Sequence, residues 1–98
     1  MVRHIVVWRL NEGCDKAKTA ALIKEKLEAL KDKIDEIVDI HVGININETI
    51  SSSDMVLVST FKSMDDLRAY IIHPEHKEVG SEYVRPNVSE RRSVDYEF

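Results

Sequence analysis

The most informative stretch of this chain is Tyr70-Ile71-Ile72-His73-Pro74-Glu75-His76. Pro74 ends a predicted helix, because proline lacks a backbone N–H and pushes the residue before it out of the helical region. The stretch holds two of the four histidines, and both lie at the helix exit, where side chains reach a cleft. We therefore expect any chemistry of this protein to involve this segment.

On both sides of this stretch the pattern predicts regular elements. Upstream, Ser63-Met64-Asp65-Asp66 resembles a capping box with aspartate in place of glutamate, and it starts the helix that carries Tyr70. Downstream, residues 75–87 form a second short helical turn or a loop, closed by Pro86. Residues 88–98 then alternate in polarity, which predicts the last strand.

The N-terminal part contains three predicted strands and one long helix. Residues 2–10 and 55–61 are bulky or β-branched and apolar on both faces, and residues 37–47 alternate most clearly. Residues 16–33 have helical spacing, and their Lys and Glu side chains form a solvated face. The apolar stripe of this helix is formed by Ala20, Ile23, Leu27, Leu30 and Ile34.

This order is β-α-β-β-α-β in a single domain over residues 1–98, which predicts an α+β, ferredoxin-like fold. Such a fold places two helices on one side of a four-stranded antiparallel sheet. The other sheet face would expose a large apolar surface on a monomer. The simplest way to cover it is a two-fold homodimer that packs the two sheets face to face, so the expected partner is the protein itself.

Charge and composition exclude several classes of partner. The net charge is -4 and the pI is about 5.5, and Arg91-Arg92 is too short to form the basic stripe that nucleic acid requires. No apolar run approaches the roughly 20 residues that span a bilayer. The one cysteine, Cys14, rules out an intrachain disulfide and fits a reducing compartment. We expect a cytoplasmic protein that binds neither nucleic acid nor membrane.

Four segments together resemble one known family, the stress-responsive A/B barrel (Dabb) domain of the dimeric α+β barrel superfamily. They are Arg3-His4-Ile5-Val6-Val7-Trp8-Arg9-Leu10, Val42-Gly43, Ala69-Tyr70-Ile71-Ile72-His73-Pro74-Glu75-His76, and Arg91-Arg92-Ser93-Val94-Asp95-Tyr96-Glu97-Phe98. The Tyr-x-x-His-Pro-x-His pattern is fairly specific, and the resemblance spans essentially the whole chain. It implies a ferredoxin-like subunit and a homodimer whose two sheets form a barrel.

The resemblance implies less about activity, because most members of the family have none assigned. Some plant relatives are stress-induced or antimicrobial proteins, and one branch contains a polyketide cyclase. The catalytic tyrosine and histidine of that branch match Tyr70 and His76, and a supporting histidine on the first strand matches His4. A further pocket tyrosine of that branch falls at Leu27, which argues against an identical substrate.

The residue types themselves allow two interpretations. An aldol-type cyclisation needs a base near neutral pKa and a donor that steadies the enolate oxygen, and histidine and tyrosine supply these groups. Alternatively, His76 fixes the turn after Pro74 by bonding a backbone carbonyl, and Tyr70 is a core residue with its hydroxyl at the rim. His4 is either a satisfied core group or a partner of His76. Pro74 also disturbs the spacing that a metal site at His73 and His76 would need, so we expect no metal.

The predicted site is a pocket between the helices and the sheet of each subunit. Its ligand-binding residues are His4, Leu27, Tyr70, His73 and His76. The first interpretation is a stress-related protein of undefined activity that binds a small apolar or carbonyl-containing ligand. The second is a cofactor-free, polyketide cyclase-like lyase with His76 as base, Tyr70 as donor and His4 in support. The third, a monooxygenase or haem-handling barrel, ranks last because the sequence shows no cofactor signature.

Overall fold

The computed structural model describes all residues from Met1 to Phe98 and confirms the predicted order of elements. The strands are β1 (Val2–Leu10), β2 (Asp39–Ile44), β3 (Met55–Phe61) and β4 (Val88–Glu97). The helices are α1 (Lys16–Glu28), α2 (Met64–Ile72) and α3 (Pro74–Val79). A 3₁₀ turn over Ala29–Asp32 prolongs α1, and α3 continues through a π-helical turn, Gly80–Val84, into a 3₁₀ turn, Arg85–Asn87.

The four strands form one antiparallel sheet in the order β2-β3-β1-β4. This is the predicted ferredoxin-like topology, with β1 at the centre between β3 and β4. In the register of the sheet, His4 of β1 lies opposite Ser59 on one side and Asp95 on the other. None of the helices combines the length and the apolar composition that a membrane span requires.

The core lies between the helices and one face of the sheet. The period of two in β1 turns alternate side chains towards the helices, and that buried set is Val2, His4, Val6, Trp8 and Leu10. The apolar stripe predicted for the first helix packs into the same core, since all five of its residues are buried, although Leu30 and Ile34 lie beyond the end of α1. Ser63 accepts a hydrogen bond from the backbone N–H of Asp66, so the predicted cap starts α2.

The second strand is shorter than predicted. The alternating pattern runs over residues 37–47, but β2 pairs with β3 only over Asp39–Ile44, and Ile46 is fully exposed. Asparagine side chains compete for backbone groups here, because the Asn45 side chain donates to the carbonyl of Asn47. The backbone N–H of Asn45 still donates to the carbonyl of Asp54, so the chain leaves the sheet after Asn45 and the end of the apolar pattern lies in a loop.

The polar face of α1 is more than a solvated surface, contrary to the sequence interpretation. The Nζ of Lys24 donates to the carbonyl of Val42 at 2.6 Å, and Oε2 of Glu28 accepts from the N–H of Val42 at 3.0 Å. Lys24 and Glu28 are themselves paired at 2.7 Å. Because β2 is an edge strand, these two side chains occupy backbone groups that would otherwise be free to pair with another strand.

The sheet face away from the helices is uncovered in the monomer. Ile5 lies between Val58 and Val94 in the register, so these three side chains form an apolar row across β3, β1 and β4. Every residue of β4 after Val88 is exposed, including Val94 at 55% and Tyr96 at 41%. A ten-residue edge strand with apolar exposed side chains is a surface that natural proteins normally cover.

Candidate functional site

A cavity of about 290 Å³ lies between the sheet and the helices. Its walls are mainly apolar and come from β1, α1, β3, α2 and the α3 region, with Trp8, Leu27 and Leu57 among them. The only exposed residues of its lining are Arg85 and Arg91, which therefore mark its mouth. The volume is at the lower end of the range typical of small-molecule sites.

Four of the five ligand-binding residues predicted from the sequence line this cavity: His4, Leu27, Tyr70 and His76. They come from β1, α1, α2 and α3, so the topology brings together positions that are far apart in the chain. The fifth residue, His73, does not line the cavity. Its Nδ1 accepts the backbone N–H of Glu75 at 3.1 Å, and it therefore caps the N-terminus of α3.

Tyr70 is the centre of the polar part of the cavity. It is completely buried, and its ring centroid lies 4.3 Å from that of His76 and 6.2 Å from that of His4. Its hydroxyl has no hydrogen-bond partner in the protein. Burial raises the pKa of Tyr70 above its ordinary value, although the nearby charge of Arg91 opposes the shift. The hydroxyl therefore stays protonated and is available as a donor.

The break between α2 and α3 determines how His76 is held. In an uninterrupted helix, the N–H of Glu75 would donate to the carbonyl of Ile71. Pro74 interrupts the helix between these two groups, and each of them forms a hydrogen bond with an imidazole instead. His73 accepts the N–H of Glu75, and Nδ1 of His76 lies 3.0 Å from the carbonyl oxygen of Ile71. His76 therefore fixes the turn and also lines the cavity, and its role as a base stays a prediction.

This contact assigns the tautomer of His76. A carbonyl oxygen only accepts, so Nδ1 carries the hydrogen and Nε2 keeps its lone pair. Burial lowers the pKa of His76, and electrostatic interactions with His4, Arg91 and Arg85 act in the same direction. The bond to Ile71 opposes the shift, but the net change still favours neutral imidazole. The geometry therefore presents a neutral nitrogen base beside a protonated tyrosine.

His4 has a partner that the sequence analysis missed. Its Nδ1 lies 2.5 Å from Oδ1 of Asp95, which faces it across the β1–β4 pairing. His4 is 4% exposed, so this carboxylate is what satisfies the buried ring. The signal was present in the alternation of the last strand, which puts Asp95 on the face opposite Val94 and Tyr96. Only the register with β1, however, shows that it meets His4.

Three further pocket residues were not singled out as site residues from the sequence. The indole Nε1 of Trp8 is buried in the cavity lining and has no hydrogen-bond partner, as is true of the Tyr70 hydroxyl. Arg91 follows the same alternation as Asp95 and lies opposite Trp8 in the register. Arg85 comes from the turn after α3, where no periodic pattern predicts its direction. No group of three or more His, Cys, Asp or Glu side chains is arranged to hold a metal ion.

The family model described as "Stress responsive A/B Barrel Domain" matches residues 2–98. The chain belongs to the Dabb family. Among relatives of this Dabb chain, an Arabidopsis thaliana protein described as a stress-response A/B barrel domain-containing protein is 30% identical over 99 residues, which is 98% of this chain. The chain spans only 36% of the length of that plant protein.

Solved structures similar to this Dabb chain have the same fold. A dimeric protein of unknown function with a ferredoxin-like fold, from Bacteroides fragilis, is 36% identical with a TM-score of 0.89; the match covers 99% of this chain and 95% of that one. Hydroxynitrile lyase from Passiflora edulis is 21% identical with a TM-score of 0.83 over 97% of this chain and 90% of its own. The fold is therefore ferredoxin-like, and its solved relatives include proteins described as dimeric.

Proposed function

We propose that the cavity binds a small carbonyl-containing compound. The observation that supports this proposal is the pair of buried donors without partners, Tyr70 Oη and Trp8 Nε1, in an otherwise apolar cavity. A buried donor left unpaired costs about 1–3 kcal/mol, and a ligand oxygen that accepts from it would remove this cost. Apolar walls with a few placed donors are typical of sites that bind a small, mainly apolar molecule with one or two oxygens.

A second candidate function, proton abstraction beside the ligand carbonyl, is favoured by the state of His76. Its Nε2 would take the proton from the carbon next to the carbonyl, and the C–H electron pair would form the enolate, whose charge rests on the carbonyl oxygen. The Tyr70 hydroxyl would donate a hydrogen bond to that oxygen. His4 would support Tyr70, since Asp95 holds its ring in place. The step is redox-neutral and fits the first half of a lyase or cyclase reaction.

The comparisons support this candidate only at the level of the fold. The Passiflora edulis neighbour is described as a hydroxynitrile lyase, so a chain with this topology can carry a lyase. Leu27 supplies an apolar side chain to the cavity wall at the position where the resemblance would place a tyrosine. We therefore propose a substrate different from that of the cyclase branch.

Deuterium exchange tests the proposed proton abstraction without knowledge of the full reaction. A simple methyl ketone such as acetophenone is incubated with the protein in D₂O, and exchange at its methyl group is followed by NMR. We expect exchange above the uncatalysed rate, and we expect it to disappear in His76→Gln. The matched control is His73→Gln, which removes a histidine outside the cavity and should keep the exchange. Equal exchange in the protein and in His76→Gln would contradict the role of His76 as base.

Binding has a separate measurement in the same protein. Trp8 is the single tryptophan of the chain and lines the cavity, so its fluorescence reports on the cavity directly. We expect ketones to change this fluorescence in both the protein and His76→Gln. If a broad set of ketones leaves the fluorescence unchanged, the binding proposal is wrong.

We also propose that the protein is a homodimer whose subunits pack through the uncovered sheet face. The apolar row of Val58, Ile5 and Val94 supports this proposal, as does the exposure of both faces of β4. Neighbouring structures described as dimeric add to it. Sedimentation at micromolar concentration should show a dimer, and a stable monomer would contradict it.

For the cellular location we propose a reducing, cytoplasmic compartment. Cys14 is the single cysteine, it is half-buried, and its thiol donates to the carbonyl of Asn11. Proteins of oxidising compartments more often carry paired cysteines. Cell fractionation with an antibody tests this proposal, and recovery with secreted proteins would contradict it.

A further inference from the structure

The mouth of the cavity carries two arginines and no acid. Arg85 and Arg91 are its only charged lining residues, and the lining contains no Asp or Glu. Neither guanidinium takes part in an ion pair. The chain as a whole has 18 acidic and 14 basic residues and a net charge of -4. Since acidic side chains are in excess, two unpaired arginines at one opening are a local reversal of the charge of the protein.

A carboxylate on the same face of β4 as Arg91 is already engaged. Asp95 follows Arg91 by four residues on β4, but its Oδ1 is bonded to Nδ1 of His4. Arg91 makes one long contact, 3.4 Å to the hydroxyl of Ser93, which does not neutralise its charge. The positive field of both arginines therefore extends into the cavity, where it is among the causes that keep His76 neutral.

We propose that the ligand of this cavity is a small oxo-carboxylate, with its carboxylate on Arg91 and Arg85 at the mouth and its carbonyl oxygen inside, beside Tyr70 and Trp8. This inference rests on the proposed binding function and names its chemical class. A guanidinium offers a planar fork of donors that matches a carboxylate, and such charge-assisted hydrogen bonds are stronger than neutral ones. An apolar interior with donors at its wall and cations at its rim fits a molecule with a carboxylate at one end only.

The orientation also has a chemical consequence. With the carboxylate fixed at the rim, the carbonyl is directed towards Tyr70, and the carbon atoms beside it lie near Nε2 of His76. An arginine pair that holds one end of the ligand thus selects which carbon meets the base. The arginines act here as binding and orienting residues and exchange no proton with the ligand.

The test compares short aliphatic and aromatic oxo-carboxylates with their own methyl esters, with the fluorescence of Trp8 as the readout. The carboxylates are expected to bind about fivefold to tenfold more tightly than the esters at low salt. This preference should shrink as ionic strength rises, because the rim is exposed and its charges are screened. Arg91→Gln and Arg85→Gln should each reduce the preference, and the double variant should abolish it.

The matched control is Arg68→Gln, which makes the same change in charge on the exposed surface of α2, outside the cavity lining. It should keep the carboxylate preference. Esters that bind as tightly as the acids, with no effect of the double variant, would overturn this inference and leave the proposed binding of carbonyl compounds intact. Failure of acids and esters alike to alter the Trp8 signal would overturn both proposals.

Discussion

His4 and Asp95, 91 residues apart in the chain, meet across the β1–β4 pairing with Nδ1 and Oδ1 2.5 Å apart. His4 is buried, so Asp95→Asn replaces a charged acceptor beside a buried ring by a neutral amide. We expect the free energy of unfolding to fall by about 1–2 kcal/mol, measured by urea denaturation. Asp65→Asn makes the same chemical change at a site 92% exposed and should alter stability by less than about 0.5 kcal/mol. Equal effects of the two variants would show that the His4–Asp95 bond contributes nothing.

Tyr70→Phe should weaken ligand binding without lowering the stability of the protein. The hydroxyl that it removes is buried and has no partner in the protein, so its loss leaves no protein group unpaired. We expect the free energy of unfolding to change by less than about 1 kcal/mol, in the stabilising direction. Ketone binding, followed through Trp8, should weaken. Tyr83→Phe removes a hydroxyl from a half-buried tyrosine outside the cavity lining and should leave binding unchanged.

The stability of the protein should carry a pH dependence that originates at His76. Burial is the main cause that lowers its pKa below the ordinary 6.5, and His4, Arg91 and Arg85 add to the shift. The unfolded chain therefore takes up this proton at a higher pH than the folded protein does. The contribution of neutral His76 to the free energy of unfolding is fully present above about pH 6.5. It is lost as the pH falls through the pKa of His76 in the folded protein.

Urea denaturation over a series of pH values measures this effect. The free energy of unfolding should fall more steeply on acidification in the protein than in His76→Gln. The matched control is His41→Gln, which removes an exposed imidazole from β2. Parallel profiles for the protein and His76→Gln would contradict the assignment of the pH dependence to His76.

Val94→Glu should dissociate the proposed dimer. Val94 is 55% exposed in the monomer, so the substitution places no charge inside the subunit and the fold should persist. In a face-to-face dimer the same glutamate would be buried without a partner, which is strongly unfavourable. Sedimentation should show a monomer with an unchanged circular dichroism spectrum. Leu22→Glu, at a 40% exposed position on α1, is the control and should sediment like the protein.

His73→Ala should affect stability and leave the cavity intact. Its imidazole accepts the N–H of Glu75 and caps α3, so its loss should lower the free energy of unfolding by about 0.5–1 kcal/mol. The dissociation constant for a ketone should stay within twofold of the value for the unsubstituted protein. A large loss of binding at unchanged stability would restore His73 to the ligand-binding set predicted from the sequence.

Much of the fold could be predicted because its signals are local. The period of two in residues 2–10 specified which face of β1 is buried, and the spacing of Ala20, Ile23 and Leu27 specified the buried stripe of α1. The second strand was overestimated because an alternating apolar pattern continues past Asn45, where side-chain hydrogen bonds take the backbone out of the sheet. Periodicity describes side chains, and it does not reveal such competition for backbone groups.

The candidate site was predictable only in part. The resemblance brought His4, Tyr70 and His76 together, and all three line one cavity. The two histidines of the motif look equivalent in sequence, but Pro74 gives them opposite roles, since one receives a free N–H and the other bonds a free carbonyl. Asp95 was missed because its role depends on a register between the two ends of the chain, which no local pattern contains.

The two pocket imidazoles differ in how easily their support can be lost. Asp95 holds His4 with a side chain, so a single codon change removes the contact. Ile71 holds His76 with its main-chain carbonyl, which every amino acid supplies, and its own side chain is 42% exposed. In a library that varies both positions, position 71 should therefore accept most residues without disturbing the base, whereas position 95 should accept few. The hydrogen bond that holds His76, the proposed base, is therefore less sensitive to substitution of its partner than the one that holds His4.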